Sequence, residues 1–326
     1  MNFAFIIDPI ATLDPGHDSS VALMEAAQQA GHQVWITQVE QLRAQGGQVW
    51  AYLHPVTLTP VTLAAGRWLA ADPWYELGPG QWQPLAKSQA VFMRKDPPVT
   101  IPYLYVTQLL DLLTPTTTLV VNHPRGLQAA NEKLYALNFP QVMPETIVTA
   151  DKETIREFVA AQGAGVLKPL NGKGGEGILL LEPGDRNFNS LIEISTHWGR
   201  EPVMVQQYLP AAQDGDKRLI LLHGEPIGAV NRIPTGQEFR GNMAVGGRVA
   251  AVPITARDRE ICAAVAPQLR ADGLYFVGLD VIGGYLTEVN VTSPTGLREI
   301  DRLNQVSLGP QIIAWVTARL AGSAGA

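Results

Sequence analysis

The stretch VLKPLNGKGGEG, residues 166–177, sets Lys168 at the end of an apolar run and follows it with glycines at 172, 174, 175 and 177. Residues without a Cβ let backbone N–H groups approach phosphate oxygens, and the lysine adds a point charge for those oxygens. Two common phosphate motifs do not fit. The pattern G-x-x-x-x-G-K-[ST] is absent, and Gly172-x-Gly174 opens no helix as a dinucleotide fingerprint would. Taken alone, the segment also reads as a mobile hairpin between strands, so its surroundings have to decide.

Upstream, apolar bursts alternate with helical patterns. Phe3 to Ile7 reads as a strand, Ser20 to Ala30 as a helix capped by Asp18, Ser19 or Ser20, and Val34 to Thr37 as a strand, which makes a βαβ unit. Ala90 to Met93 and Thr118 to Val121 read as buried strands around a helix at Val106 to Leu113. Residues 1–125 therefore read as one doubly wound, Rossmann-like α/β domain, interrupted from Gln48 to Pro84 by hairpins or long loops. Downstream the pattern becomes α+β, with helices at Asp151 to Ala161, Ala256 to Arg270 and Val306 to Leu320. Residues 126–322 form this second unit, split into a lobe at about 131–208 and another at about 209–322.

Two more signals lie in that half. Asp280, Glu288 and Asn290 sit within apolar strands around Gly283-Gly284, where buried carboxylates are expensive unless something neutralises them. Oxygen-only ligands of this kind suit Mg²⁺. A two-residue turn would pair Asp280 with Thr287, whereas a three-residue loop pairs it with Glu288 and lets Asn290 share that face. The metal reading predicts the odd-length loop; the other reading is a hairpin whose acids are solvated or salt-bridged. The second signal is a charge cluster: from Lys217 to Arg248 five cations face two acids, a local balance of +3 in a chain of net charge −6. Arginines with intervening glycines can hold carboxylates and a transferring phosphoryl group, although an exposed basic hairpin has the same composition.

Composition narrows the field. At 46% hydrophobic and 17% charged, with 24 Lys+Arg against 30 Asp+Glu, the 326-residue chain is globular, long enough for about two domains, and lacks the basic surplus of a nucleic-acid-coating protein. No apolar run approaches the roughly 20 residues of a membrane span. The lone cysteine, Cys262, excludes an internal disulfide and points to a reducing cytoplasm, with the thiol on the apolar stripe of a helix. The six histidines form no HExxH or close pair, and no G-x-S-x-G elbow occurs.

These residues resemble the bacterial-type glutathione synthetases of the ATP-grasp superfamily. The likeness is carried by Asp8-Pro9-Ile10, Asp18-Ser19-Ser20, Met93 to Pro98, Asn131 to Leu134, Leu167 to Leu170, Asp214 to Arg218, Arg240 to Arg248 and Thr287 to Thr295. The resemblance implies an ATP-grasp domain with a mobile lid, and Mg-ATP-dependent joining of γ-glutamylcysteine to glycine through an acyl phosphate. It implies Lys133 and Lys168 on the ATP phosphates beside the lid glycines Gly174 and Gly175, Gln206, Gln207, Tyr208 and Leu209 around adenine, and Asp216 on the same cleft. Asp280, Glu288 and Asn290 would hold Mg²⁺ or Mn²⁺. Arg218, Arg240 and Arg248 would serve the reaction, and Arg240 and Arg248 bracket a loop that closes over the acyl phosphate. Substrate contacts would come from Asp18, Ser19, Ser20, Arg94, Arg232, Asn242, Gly246, Gly247, Ser293, Pro294 and Thr295. The family further implies a cytoplasmic homodimer or homotetramer. Another ATP-grasp carboxylate-amine ligase, or a nucleotide-binding regulatory protein without turnover, would share the ATP site.

Overall fold

The structure, a computed structural model, describes residues 1–113, 118–172, 174–235 and 247–323. Its first sheet has a parallel centre. The strand Asn2–Ile6 pairs with Gln33–Thr37 on one side and Ala90–Met93 on the other, and Leu119–Val121 lies beyond the latter. Phe3, Ala4, Phe5 and Ile6 are all fully buried, as expected of a strand covered on both faces. The helix Ser19–Gln29 starts where the Asp18 carboxylate accepts from the backbone N–H groups of Ser20 and Val21. The helix expected from Val106 begins five residues earlier, as Ile101–Asp111, capped by Thr100. Pro102 falls in its first turn, where the missing N–H costs nothing. The interrupting segment is made of hairpins: Gln48–Leu58 runs antiparallel to Gln33–Thr37 and widens the sheet to eight strands.

Two antiparallel sheets follow. The smaller has the order Thr146–Thr149, Val203–Gln207, Gly165–Pro169, Leu179–Leu181, and the larger Arg248–Ala251, Glu225–Ile233, Asp216–Leu222, Phe276–Ile282, Tyr285–Asn290. The helix Ala256–Ala271 packs on the larger sheet and begins in a reciprocal capping box between Thr255 and Asp258.

The core divides unequally. One cluster runs from the first sheet (Ala4, Val91, Val120) into the five-stranded sheet (Leu219, Val277, Leu279), so these two share a continuous interior. The four-stranded sheet has a small core of its own, with Ile155, Val159, Leu167, Leu181, Ile192, Val203 and Val205. Asn122 rivets the first sheet to the five-stranded one: its Nδ2 donates to the carbonyls of Phe276 and Val291, and its Oδ1 accepts from Phe276 N. The carboxyl ends of the parallel strands thus face the strand Tyr285–Asn290 and the loop after it, the position where open α/β sheets bind ligands.

Candidate active site

A cavity of about 490 Å³ opens there, walled by His17, Asp96 and Pro97 from the first domain, by Gly172, Gly174, Gly175, Glu176 and Ile178, and by Asp280, Glu288, Asn290 and Thr292 to Thr295. A narrower cavity of about 80 Å³ continues from it between the two antiparallel sheets, sharing Ile178, Asp280 and Glu288. Val166, Lys168, Gln206, Gln207, Tyr208 and Leu209 line this inner part with Asp216 and Thr287. The backbone from Gln206 to Leu209 crosses between lobes, where a flat heterocycle could meet main-chain groups.

The register of the final hairpin corrects one expectation and keeps its consequence. The loop is the two-residue Gly283-Gly284 turn, with Ile282 opposite Tyr285 and Val281 opposite Leu286, not the odd-length loop. A β-bulge at Thr287 then shifts the ladder by one residue, so Asp280 faces Glu288 and Gly278 faces Asn290. Thr287 Oγ1 donates to the Asp280 carbonyl 3.2 Å away, across the bulge. The three oxygen donors consequently share one wall of the cavity.

Charge at this wall is almost balanced. Arg218 grips Asp280 with two hydrogen bonds of 2.6 and 3.2 Å, and Arg232 reaches Asp216 at 2.6 Å and Asp280 at 3.0 Å. Arg218, Asp280 and Arg232 are buried and the Asp216 side chain is 14% exposed, so each cation helps to keep a carboxylate ionised. Burial opposes charge at Asp280, but the two guanidiniums prevail and hold its carboxyl below the ordinary range. Burial likewise opposes charge at Arg232, yet Asp216 and Asp280 raise its pKa. Burial drives the Asp216 carboxyl upward against the pull of Arg232, and its Oδ1 has no hydrogen-bond partner among the described residues. An unpaired buried oxygen beside the inner cavity is a feature for a ligand to satisfy.

Lys168 is buried and donates to Gln206 Oε1, and burial lowers its pKa against the attraction of Glu288 and Asp216. Lys133, also buried, lies 3.1 Å from Glu288 and donates to the Gly172 carbonyl at 2.9 Å, tying Glu288 to the glycine loop. Gly174 and Gly175 both take positive φ, +59° and +88°, which a side chain would resist. The acidic and amide donors fit a divalent cation: two carboxylates and one amide, all oxygen, on one wall. Among the described residues no three His, Cys, Asp or Glu groups are placed to hold a metal ion by themselves.

Other sequence candidates sit differently. Asp18 caps a helix; Ser19 accepts from Leu297 N, and Ser20 accepts from Arg94 Nε. Arg94 donates to the Pro294 carbonyl and stacks 5.2 Å from the Phe276 ring centroid. None of these four lines the cavity; they brace the loop that does, where Ser293, Pro294 and Thr295 form the wall. Arg248 opens the edge strand Arg248–Ala251 next to Gly247, and neither lines the cavity. Arg240, Asn242 and Gly246 lie outside the described residues.

Two groups were missed in the sequence. Glu132 is buried and accepts from the N–H groups of Val291 and Thr292 and from the Thr292 hydroxyl, fixing the strand end beside Asn290. Burial, then Glu288, raises its pKa. His17 lines the outer cavity and is held by Glu299, 282 residues away. The first was hidden as a neighbour of Lys133, the second because a histidine with no sequence-near partner reads as bland.

An antiparallel pair of sheets closing on a lysine, a glycine loop and paired acids defines an ATP-grasp ligase. Solved structures share the fold: D-cycloserine synthetase DcsG (TM-score 0.64, 16% identity, covering 98% of this chain and all of that one) and the ATP-grasp ligase PsnB complexed with minimal precursor, Mg and ADP (TM-score 0.63, 17%, 98% of each). Residues 1–128 match the prokaryotic glutathione synthetase N-terminal domain, and residues 132–305 match the prokaryotic glutathione synthetase ATP-grasp domain. The chain belongs to the prokaryotic glutathione synthetase family. Similar relatives are the glutathione synthetases of Thermosynechococcus vestitus, 68% identical over 97% of this chain and 99% of that one, and of Synechocystis sp., 64% identical over the same shares. No helix among the described residues is long and apolar enough to cross a membrane.

Proposed function

We propose that this chain joins γ-glutamylcysteine to glycine at the expense of ATP, giving glutathione, ADP and phosphate. The observation that carries this reading is the continuity of the two cavities: an inner slot lined by Lys168 and the segment Gln206 to Leu209 opens, past Asp280 and Glu288, into an outer chamber of about 490 Å³.

A carboxylate is a poor electrophile. Transfer of the ATP γ-phosphoryl group to one of its oxygens gives an acyl phosphate and ADP; the glycine amine then attacks the acyl carbon, phosphate leaves with the bonding pair, and the amine loses a proton. In this reading Gln206, Gln207, Tyr208 and Leu209 hold adenine, and Lys133 and Lys168 hold phosphates together with the backbone N–H groups of Gly174 and Gly175. Lys133 is already beside Glu288, so triphosphate entry replaces one anion with another at its ammonium. Asp280, Glu288 and Asn290 would hold Mg²⁺ or Mn²⁺, which neutralises phosphate charge when bound. Arg218 and Arg232, fixed by carboxylates before substrate arrives, supply positive potential without reorganising. Asp216 lies on the nucleotide side of that network. Arg240, Arg248, Asn242, Gly246 and Gly247 belong to the closing segment, and Ser293, Pro294 and Thr295 to the acid subsite, braced by Asp18, Ser19, Ser20 and Arg94. The separate small core of the four-stranded sheet supports lid movement, which would keep water from the acyl phosphate. The reading includes work in the cytoplasm, supported by a single buried thiol, and assembly as a homodimer or homotetramer, supported by exposed Ile101, Tyr105 and Leu112 on one helix face.

The test is isotopic. With ¹⁸O in the reacting carboxylate of γ-glutamylcysteine, one label should appear in the phosphate released per glutathione formed. Phosphate free of label, with glutathione still made, would exclude the acyl phosphate.

A further inference from the structure

His17 is a titratable group at the outer cavity that the mechanism above leaves unused. It sits in the turn before the helix Ser19–Gln29 and lines the outer cavity but not the inner one. Its Nδ1 lies 2.6 Å from Glu299 Oε1, on the helix Leu297–Asn304 from the far end of the chain. The Glu299 side chain is 9% exposed, and its Oε2 has no hydrogen-bond partner among the described residues. A carboxylate so placed is costly unless a cation stands beside it, and the imidazole is the group in contact with it. The His17 side chain is 40% exposed, so the ring carries the resulting charge to the cavity surface.

We propose that His17, oriented by Glu299, is a specificity residue whose imidazolium receives the carboxylate at the glutamyl end of the acid substrate. This rests on the reading given under Proposed function. The acid must place its reacting carboxyl beside the phosphates, near Lys133, Gly174 and Glu288; its remote end must then extend into the part of the cavity walled by His17, Pro97, Pro294 and Thr295. Glycine, two carbons long and bonded to the acyl carbon, stays close to the phosphate. The charge on the ring is supported by its surroundings: the hydrogen bond that the ring donates to Glu299 raises the pKa of His17, burial lowers it by less, and the charges of Glu299, Asp18 and Asp14 add to the rise. Asp96 also faces this cavity, so without His17 the chamber mouth would repel an anion.

The sign follows. The imidazolium is present below its folded pKa and lost above it, so the KM for the acid should climb as pH rises through that value. The experiment is steady-state kinetics on the full chain with Mg-ATP, γ-glutamylcysteine and glycine between pH 6 and 8, for the native protein, His17→Gln and His17→Lys. Loss of one charge-assisted contact predicts a KM for γ-glutamylcysteine raised about tenfold at pH 6 in His17→Gln, with kcat and the KM for glycine changing far less. The rise of KM with pH seen in the native protein should flatten in His17→Gln, and His17→Lys should restore low KM across the range. An unchanged KM for the acid in His17→Gln, or an equal rise for glycine, would overturn the assignment. If the native protein forms no glutathione from these substrates, the functional reading itself fails, and that is scored before any variant is made.

Discussion

Replacing Arg218 with Met tests the idea that the cavity wall of Arg218, Arg232, Asp216 and Asp280 is a balanced ionic device. Arg218 and Asp280 are 6% and 2% exposed, and Arg218 supplies two of the hydrogen bonds on the Asp280 carboxylate. Removing one partner of a buried pair costs about 3–5 kcal/mol because the other charge is stranded. Arg232 remains 3.0 Å from Asp280 but must then serve Asp216 as well, so the lower end of that range, about 3 kcal/mol, applies. At roughly 2–4 °C per kcal/mol for a domain of this size, the melting temperature should fall by about 6–12 °C. The Asp280 carboxyl, held below its unfolded value, contributes stability at neutral pH that is lost as pH falls through its folded pKa. The gap between native and variant protein should therefore be full at pH 7 and narrow below about pH 4. Differential scanning fluorimetry across pH measures this. The double variant Arg218→Met, Asp280→Leu should regain much of the loss, since no stranded charge remains. A shift under about 2 °C in the single variant, or a double variant less stable than the single one, would refute the coupling.

Glu288→Gln keeps the shape of the side chain and removes a charge from the wall proposed to hold the metal, so kcat should drop by about a hundredfold or more while the far-UV spectrum is unchanged; near-normal turnover at saturating Mg²⁺ would remove Glu288 from the proposed metal set. Asn122→Leu leaves the N–H and C=O of Phe276 and the carbonyl of Val291 without their side-chain partner, a loss of about 3 kcal/mol or more, and a melting temperature within 2 °C of native would contradict the rivet. Cys262 is 2% exposed and burial pushes its thiol up to about 12, so the native protein should not react with a disulfide reagent at pH 8 and should react stoichiometrically once unfolded in urea. Prompt reaction of the native thiol would show that its helix opens.

Much of this was legible in the residues because their signals are local. Strand Ala90–Met93 and helix Ala256–Ala271 announce themselves by pattern, and the Asp18 cap by its hydrogen-bond chemistry. The rest depends on what distant segments do to one another. No reading of Gly283-Gly284 reveals a bulge at Thr287, since the bulge is set by which strand face packs inward, and the alternation of apolar residues tolerates either register. The helix expected from Val106 opens at Ile101, with Pro102 in its first turn, where apolar period alone gives no start signal. His17 and Glu299, or Asn122 and Phe276, meet only after the chain folds back over more than 150 residues, so neither pair leaves a mark in sequence spacing. Asp18, Ser19 and Ser20, which the resemblance implies as substrate contacts, also respectively cap a helix, accept from Leu297 N and accept from Arg94 Nε, partners that sequence spacing does not disclose.

The most direct measurement of the central claim is ADP release from Mg-ATP with γ-glutamylcysteine and glycine, each omitted in turn, with glutathione followed by mass. The account predicts release that needs both amino substrates and equals glutathione one for one. ADP release matched instead by another acid–amine product, or ATP binding with no release under any combination, would contradict it.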